Sequence, residues 1–261
     1  MDNINRLREM NPLVVCITND VVKNFTANGL LAIGASPLVG GEVAEASDLM
    51  KSASALLVNI GTADQSKLQV MDEMMKEANR NNVPIVFDPV GFGASRFRVE
   101  ITEQLLSRHE VSLIKGNAGE MHALSGAESN MKGVDSKEET PVEEIAGKAY
   151  DRYRTPVLVT GAQDALMTGN GVSIMDSGHP LQGRVTGSGC LLGAIICAFL
   201  GTSDRFDDQS VIDAVSYYNL CAEKAASAQE HPTPGTFATK LIDELYLNDD
   251  NLLKERKVVA R

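Results

Sequence analysis

The stretch LVVCITNDVVKNFTANGLLAIGASPLVG, at residues 13–40, shows the alternation that decides the fold. Its opening LVVCIT is a run of apolar and β-branched residues, which predicts a buried strand at 13–18. Residues 21–33 then place Ala, Leu and Ile at helical spacing, and SPLVG at 36–40 predicts a second, short extended segment. The stretch therefore predicts a strand–helix–strand unit.

The same alternation continues along the chain. Apolar runs predict strands at 55–60, 84–89, 111–116 and 156–161, and a hairpin of two short strands around Gly169-Asn170-Gly171. Helical patterns cover 42–51, 64–81, 96–106, 118–125, 142–152, about 190–200, 208–228 and 237–246, and the polar segment 126–140 predicts a surface loop. Alternating strands and helices predict an α/β fold with a mainly parallel central sheet and helices on both faces. No linker divides the chain, so we expect one domain over residues 1–261.

Composition and charge exclude several classes of function. The 261 residues carry a formal net charge of −11, and an acidic surface disfavours binding to nucleic acid or anionic lipid. Trp is absent and only 5% of residues are aromatic, which leaves little material for base stacking. The N-terminal MDNINRLREMNP lacks the apolar core of a secretory signal, and no stretch reaches ~18 consecutive apolar residues. We therefore expect a cytoplasmic protein with no nucleic-acid or membrane partner.

The cysteines and histidines do not indicate a metal site. The four cysteines form no CxxC pair, and without a secretory context we expect no disulfides either. Cys16, Cys197 and Cys221 lie in apolar patterns and are expected to pack as small hydrophobic residues, as are the methionines at 71–75. The four histidines are scattered without the spacing of metal ligands.

Polar residues and glycines stand at the ends of the predicted strands or directly after them. They are Asn19, Gly61, Asp88, Asn117 and Gly161. Because the carboxyl ends of parallel strands meet at one edge of a sheet, and ligands bind at that edge, we expect these residues to lie close together.

The sharpest local motif is Thr186-Gly187-Ser188-Gly189-Cys190, which precedes an apolar helix. Glycines at a helix start allow backbone N–H groups to approach an anion, and the helix dipole favours phosphate there. The same dipole is expected to lower the pKa of the Cys190 thiol. The alternative interpretation is a plain Gly-rich turn that caps a core helix. The motif is not a Walker A loop, since no GK[ST] follows.

Two acidic residues could hold Mg²⁺. Asn117-Ala-Gly-Glu120 opens a predicted helix, where Asn117 and Glu120 can form a local cap or Glu120 can hold Mg²⁺ through water. Asp88, in DPVGFG, is the candidate second carboxylate, and its alternative role is that of a turn-forming Asp before Pro. Mg²⁺ takes one or two carboxylates together with substrate phosphates, so both interpretations stay open here.

Taken together, these motifs resemble the hydroxyethylthiazole kinase family of the ribokinase-like superfamily. The matching segments are ITNDVVKNFTANGLLAIGASPLV, LLVNIGT, VFDPVGFGAS, IKGNAGE, VLVTG, RVTGSGCLLGAIICAF and PGTF, which together span nearly the whole chain. The resemblance implies a ribokinase-like three-layer fold. It also implies Mg²⁺- and ATP-dependent phosphorylation of the hydroxyl of 4-methyl-5-(2-hydroxyethyl)thiazole in thiamine salvage, by a homotrimer with active sites where two subunits meet.

The resemblance also implies roles for individual residues. Those on the thiazole side are Asn19, Val39 and Gly187; those on the ATP side are Lys115, Asn117 and Thr160; those at the Mg²⁺–phosphate site are Asp88 and Glu120; and those at the transferring phosphoryl group are Gly187, Gly189 and Cys190. Cys190 stands where many sugar kinases of the superfamily carry an Asp base.

The chain departs from the family pattern at two of these positions. Val39 replaces the Met of ASPxM, and Lys115 replaces the Arg of RGNAxE. Val is shorter and stiffer, and Lys lacks the planar fork that binds phosphate bidentately. These departures motivate one alternative, a thiazole-binding homologue without activity. The other alternative is another superfamily activity, such as a pyrimidine kinase or a nucleotide-hydrate dehydratase, against which the ASPLV and ITNDVV segments speak.

Overall fold

The computed structural model describes residues 3–126, 140–203 and 205–261. The strands are β1 (Leu13–Ile17), β2 (Ser36–Val39), β3 (Ala55–Asn59), β4 (Ile85–Asp88), β5 (Leu113–Asn117), β6 (Val157–Thr160), β7 (Asp164–Thr168), β8 (Gly171–Met175) and β9 (Val258–Ala260). The α-helices are α1 (Asn3–Met10), α2 (Lys23–Ile33), α3 (Ala46–Ser52), α4 (Gln65–Arg80), α5 (Arg96–Arg108), α6 (Ala118–Leu124), α7 (Val142–Tyr153), α8 (Ser188–Leu200), α9 (Asp208–Ser227) and α10 (Pro234–Leu247). Short 3-10 helices cover Val43–Glu45, Pro180–Arg184 and Leu252–Glu255.

All nine strands belong to one sheet, in the order β2-β1-β3-β4-β5-β6-β7-β8-β9. The six strands from β2 to β6 run parallel, and β7, β8 and β9 continue the sheet as antiparallel neighbours. The strand order reverses between β1 and β3, because the chain passes from β1 outward to β2 and then returns to β3. Such a reversal opens a crevice at the carboxyl ends of the strands, which is where ligands bind in open α/β sheets.

Helices cover both faces of the sheet, as the sequence predicts. Alternate strand residues point to opposite faces. Cys16 and Leu57 pack with α1, α2, α8, α9 and α10 on one face, whereas Val58 and Phe87 pack with α3, α4 and α5 on the other. Helices α6 and α7 extend that second layer over β5 to β7. The predicted α/β three-layer architecture is therefore confirmed, and so is the core position of the predicted core cysteines and of the methionines at 71–75.

Several boundaries differ from the sequence predictions. The helix predicted at 42–51 begins as the 3-10 turn Val43–Glu45, where Glu42 and Glu45 cap each other's backbone amides, and continues as α3. Helix α1 and strand β9 were not predicted; β9 pairs antiparallel with β8. Most of the loop predicted at 126–140 lies outside the described residues. Within the described ranges, no helix combines the length and the apolarity that a bilayer crossing requires.

Helix α8 connects the core to the carboxyl edge of the sheet. Of its 13 residues, all except Gly189 and Cys190 in the first turn are buried. The helix lies close to the strands at Gly193: a Cβ added there would be only 3.1 Å from Leu57 Cδ1. The apolar part of α8 therefore holds the first turn, with Gly189 and Cys190 as its less buried residues, next to β3, β4 and β5.

Candidate active site

Asn59, the last residue of β3, is the hub of the polar cluster at the carboxyl edge. Its side-chain Nδ2 donates to Asp88 Oδ2 (2.9 Å) and to Cys190 Sγ (3.3 Å). Its Oδ1 accepts from Asn19 Nδ2 (3.1 Å) and from the Gly61 amide (3.0 Å). The Asn59 side chain is fully buried, and its four contacts use both amide hydrogens and both carbonyl lone pairs. The amide is therefore held in one orientation.

Sequence reasoning named Asn19, Asp88 and Cys190 but missed Asn59. The signal was present, because a lone Asn near the end of the apolar run ALLVNI would be costly to bury without partners. The predicted run extends to residue 60, which placed Asn59 inside the strand and left Gly61 as the residue after it, whereas β3 ends at Asn59.

Asp88 and Lys115 form a buried ion pair beneath the first turn of α8. Lys115 Nζ lies 3.2 Å from Asp88 Oδ2, and both side chains are at most 5% exposed. Burial alone would lower the pKa of Lys115, but the charge of Asp88, with those of Cys190 and Glu120, outweighs it and raises that pKa. A Cβ at Gly189 would lie 3.5 Å from Lys115 Nζ, so only a glycine backbone separates the ammonium group from the helix terminus. This arrangement concentrates positive charge where an anion would sit.

The Cys190 thiol does not have the lowered pKa expected from the helix terminus. Burial raises its pKa, and the neighbouring Asp88 charge raises it further. The Lys115 charge and the hydrogen bonds from Asn19 and Asn59 only partly oppose this. The prediction failed because it considered the helix alone, whereas the tertiary structure buries the thiol and places it next to a carboxylate.

The Gly-rich turn has the geometry that the motif predicts. Gly187 is the N-cap of α8 with φ of 90°, a left-handed conformation that favours glycine. The first amides of a helix lack intrahelical acceptors. The Ser188 amide donates to Val185 O and the Leu191 amide to Gly187 O, which leaves the Gly189 and Cys190 amides without an acceptor among the described residues. These two amides can bind an anion.

Asn117 and Glu120 form the predicted local cap. The Asn117 side chain accepts from the Glu120 amide, and Glu120 Oε2 accepts from the Asn117 amide, each at 2.9 Å. Glu120 Oε1 also accepts from the Gly91 amide (2.8 Å), which ties the turn after β4 to α6. The local role does not exclude the second, since each carboxylate oxygen keeps a further lone pair.

The fit of this edge to a divalent cation rests on Asp88. Its Oδ1 is buried and has no hydrogen-bond partner among the described residues, although such groups are normally satisfied. Burial is the main cause that raises the pKa of Asp88, and Glu120 is close enough for its charge to raise that pKa further. The described residues contain no group of three or more His, Cys, Asp or Glu suited to a metal. Two carboxylates fit Mg²⁺ that is held mainly by phosphates and water.

A pocket of about 540 Å³ opens beside this cluster, between the end of β6 and the start of α8. We call it the β6–α8 pocket; its lining includes Asn117, Thr160, Gly161, Ser188, Gly189 and Asn219. Thr160 lies opposite Asn117 in the β5–β6 register, and its hydroxyl donates to Gly116 O (3.3 Å). The pocket therefore adjoins the Gly-rich turn on the side away from Asn19. Val39 lies apart from it, at the end of the edge strand β2 and opposite Cys16.

The family comparison agrees with this geometry. The model of the family described as "Hydroxyethylthiazole kinase family" matches residues 4–250. The chain belongs to the hydroxyethylthiazole kinase family. It is 42% identical to a hydroxyethylthiazole kinase of Macrococcus caseolyticus over 99% of both chains. It is 46% identical to one of Staphylococcus haemolyticus, over 98% of this chain and 97% of that one.

Solved structures show the same fold. A hydroxyethylthiazole kinase protein from Pyrococcus horikoshii is 36% identical, with a TM-score of 0.89 over 99% of this chain and 97% of that one. An ADP/ATP-dependent NAD(P)H-hydrate dehydratase from Bacillus subtilis, co-crystallised with ATP and Mg²⁺, is 15% identical with a TM-score of 0.63, over 91% and 90% of the two chains. The second likeness shows the ribokinase-like fold alone.

Proposed function

We propose that this member of the hydroxyethylthiazole kinase family transfers the γ-phosphoryl group of ATP to the hydroxyl of hydroxyethylthiazole, a reaction of thiamine salvage. The observation that carries the proposal is the buried Asp88–Lys115 pair directly beneath the Gly189 backbone. Phosphoryl transfer depends on positioning and on stabilising charge, and this site supplies both. The family relatives supply the substrate class.

Each part of the edge has a role in this reaction. The Gly189 and Cys190 amides bind the transferring phosphoryl oxygens, and Lys115 adds positive charge beneath them. ATP occupies the β6–α8 pocket and contacts Asn117 and Thr160. The thiazole lies on the opposite side of the turn, near the Asn19 side chain, with Gly187 and Val39 bordering it. The position of the Gly-rich turn between the pocket and Asn19 supports this division.

Asp88 and Glu120 would hold Mg²⁺ at this edge. The support is the free Oδ1 of Asp88, together with the nearby Glu120 carboxylate. When bound, the ion neutralises charge on the phosphates. The residues themselves orient one another: Asn59 fixes Asp88, and the Gly91 and Asn117 amides fix Glu120.

The Glu120→Gln variant should need more Mg²⁺ for half-maximal rate. Loss of a carboxylate that holds the ion through water should cost roughly 10–100-fold in apparent Mg²⁺ affinity. Rates across a Mg²⁺ titration at saturating ATP measure this. Glu144→Gln is the matched control, because Glu144, on the surface of α7, pairs with Lys148 and with no other cation among the described residues. An unchanged Mg²⁺ titration for Glu120→Gln would remove Glu120 from the metal site.

The Cys190→Ser variant should lower kcat by about 10²-fold, the lower end of what a positioned proton acceptor contributes. The effect is at the lower end because the raised pKa keeps the thiol mostly protonated at neutral pH. Cys190 then mainly orients the substrate hydroxyl, with its sulfur held by Asn19 and Asn59. Single-turnover kinetics with unchanged thermal unfolding would isolate this effect. A wild-type rate would refute the role of Cys190.

The active form is proposed to be a homotrimer with inter-subunit sites. An apolar groove of about 800 Å³ lies between α2 and α10, lined by Phe25, Ile242 and the largely exposed Leu31, Tyr246 and Leu247. Phe25 also contacts the Gly187 position, so a neighbour in this groove would reach the site. Sedimentation equilibrium should give three times the 28.0 kDa chain mass. A monomer mass at assay concentration would contradict the trimer.

We also propose that the chain is a single cytoplasmic domain over residues 1–261. The continuous nine-stranded sheet supports one domain, and the ATP requirement supports the cytoplasm. Limited proteolysis that yields two stable fragments, or recovery of the protein outside the cytoplasmic fraction, would contradict this.

The activity test follows phosphorylated thiazole by mass spectrometry after purified protein is mixed with ATP, Mg²⁺ and hydroxyethylthiazole. Product above the level of the Asp88→Asn variant supports the proposal. Binding of both substrates without product would instead favour a thiazole-binding homologue that has lost activity.

A further inference from the structure

Asp164, the first residue of β7, is a buried carboxylate that the reaction above does not use. It is 4% exposed, and among the described residues it pairs with no Lys or Arg. Its Oδ1 accepts from the Gly161 amide (3.0 Å), and its Oδ2 accepts from Asn219 Nδ2 (2.7 Å). Burial raises its pKa to about 6, so it is ionised in assays above neutral pH. The two hydrogen bonds and the charge of Lys115 oppose this shift only partly. A buried carboxylate without a direct ion-pair partner is costly, and such groups concentrate at functional sites.

The bonds of Asp164 continue along the wall of the β6–α8 pocket. Asn219, itself 4% exposed, accepts at Oδ1 from Gln182 Nε2 (3.0 Å). Gln182 in turn accepts at Oε1 from the His179 amide (2.8 Å). Gly161, Asp164, His179, Gln182 and Asn219 all line the pocket. One continuous chain of hydrogen bonds therefore joins the turn after β6, helix α9 and the 179–182 segment.

The donors and acceptors along these hydrogen bonds can be arranged in only one way. An ionised carboxylate only accepts, so Asp164 requires Asn219 to present its NH₂ group. The Asn219 oxygen must then face Gln182, whose NH₂ donates to it. A flipped Asn219 would break both bonds, so the charge of Asp164 determines the orientation of the pocket wall.

We propose that Asp164 and Asn219 are a positioning pair that holds three walls of the nucleotide pocket in their ATP-binding arrangement. The proposal rests on the proposed use of ATP in the β6–α8 pocket. It predicts an effect on ATP binding, with little effect on the thiazole or on the phosphoryl transfer step, because neither residue contacts Asp88, Lys115 or Cys190 through a described hydrogen bond.

The test is a polarity swap. Asp164→Asn supplies one oxygen and one NH₂ group, so either the Gly161 amide or the Asn219 NH₂ group loses its acceptor. Asn219→Asp sets two carboxylates against each other. The double variant Asp164→Asn/Asn219→Asp restores one donor and one acceptor, with an acceptor still facing both the Gly161 amide and Gln182. Each single variant should weaken MgATP binding about tenfold, a typical effect of one unsatisfied buried polar group. The double variant should recover to within about threefold of wild type.

MgATP affinity by calorimetry without thiazole, KM for ATP, KM for hydroxyethylthiazole and kcat would be measured for the wild type and the three variants. Asp48→Asn, on an exposed side chain of α3, is the surface control. Weaker ATP binding in both single variants with recovery in the double variant supports the pair. Unchanged ATP affinity in the single variants, a double variant no better than either, or equal losses in kcat and both KM values would overturn it.

The two proposals fail separately. Wild-type protein that binds MgATP without phosphorylating the thiazole refutes the proposed function, and the swap is still decided by calorimetry. Wild-type protein that binds no MgATP overturns the pair. A single variant that does not fold, as judged by circular dichroism, leaves the other single variant and the double variant to decide.

Discussion

An Asp88→Asn variant should lose about 10²–10³-fold in kcat, because the change removes the charge at the centre of the site. It should also lose about 3 kcal/mol in the free energy of unfolding, because Lys115 stays buried without its partner. Lys115 is 4% exposed and no solvent can replace the carboxylate. Steady-state kinetics and denaturant unfolding measure the two effects.

A double variant separates the effect on catalysis from the effect on folding. Asp88→Asn/Lys115→Met removes both charges and keeps the apolar stem of the lysine, so much of the lost stability should return. The activity should not return, because the phosphoryl site has lost both its charges. A double variant as inactive as Asp88→Asn but more stable fits the account. Recovery of activity together with stability would mean that the ion pair serves the fold alone.

A Gly187→Ala variant should lose about 1–3 kcal/mol in the free energy of unfolding and about 10²-fold in kcat. The residue has φ of 90°, and its new Cβ would lie 2.6 Å from Val22 Cγ1, closer than real Cβ contacts allow. The turn must shift, and the amides that begin α8 move with it. Thermal unfolding and kcat measure the two losses.

Two further variants make this prediction specific. Gly235→Ala, in the first turn of α10, should lower neither quantity, because no described atom outside its own helical turn lies within 4 Å of its new Cβ. Val22→Ala added to Gly187→Ala should recover part of the stability, because it removes the 2.6 Å contact with Val22 Cγ1 and leaves only the 3.0 Å contact with Cβ. Wild-type activity for Gly187→Ala would contradict the role of the turn.

Local patterns in the sequence predicted the layers of the fold, and tertiary pairing explains the main omissions. In the sequence, strands β1 to β6 are apolar runs, because both faces of a parallel sheet are buried. Strand β9 pairs with β8 from more than eighty residues away, and no local signal specifies such a partner. Helix α1 has only eight residues, and its apolar side depends on Ile4 and Leu7 alone.

The site residues also divide into those that local sequence predicted and those that only the tertiary structure brings together. Asn19 and Asp88 were predicted because they end strands, and the structure joins both through Asn59, which was not predicted. The direction of the Cys190 pKa shift was wrong because it depends on burial and on Asp88, a residue 102 positions away in the chain. The positions assigned to thiazole, ATP and Mg²⁺ stay predictions.

The Lys115 departure from the family pattern is compatible with activity. Its ammonium group pairs with Asp88 and lies beneath Gly189, a place for a point charge rather than a planar fork. The Val39 departure lies on the edge strand, away from the charged cluster, so we expect it to affect substrate fit rather than phosphoryl transfer.

Competition between two alcohols in one reaction tests whether this protein phosphorylates hydroxyethylthiazole in preference to a pyrimidine. Wild-type protein with MgATP would receive equal amounts of hydroxyethylthiazole and a hydroxymethylpyrimidine, with both phosphorylated products measured by mass spectrometry. We expect thiazole phosphate as the main product, with a kcat/KM for hydroxyethylthiazole about 10²-fold or more above that for the pyrimidine. The Asp88→Asn variant should lose that product. Preferential phosphorylation of the pyrimidine, or no ATP-dependent product from either alcohol, would contradict it.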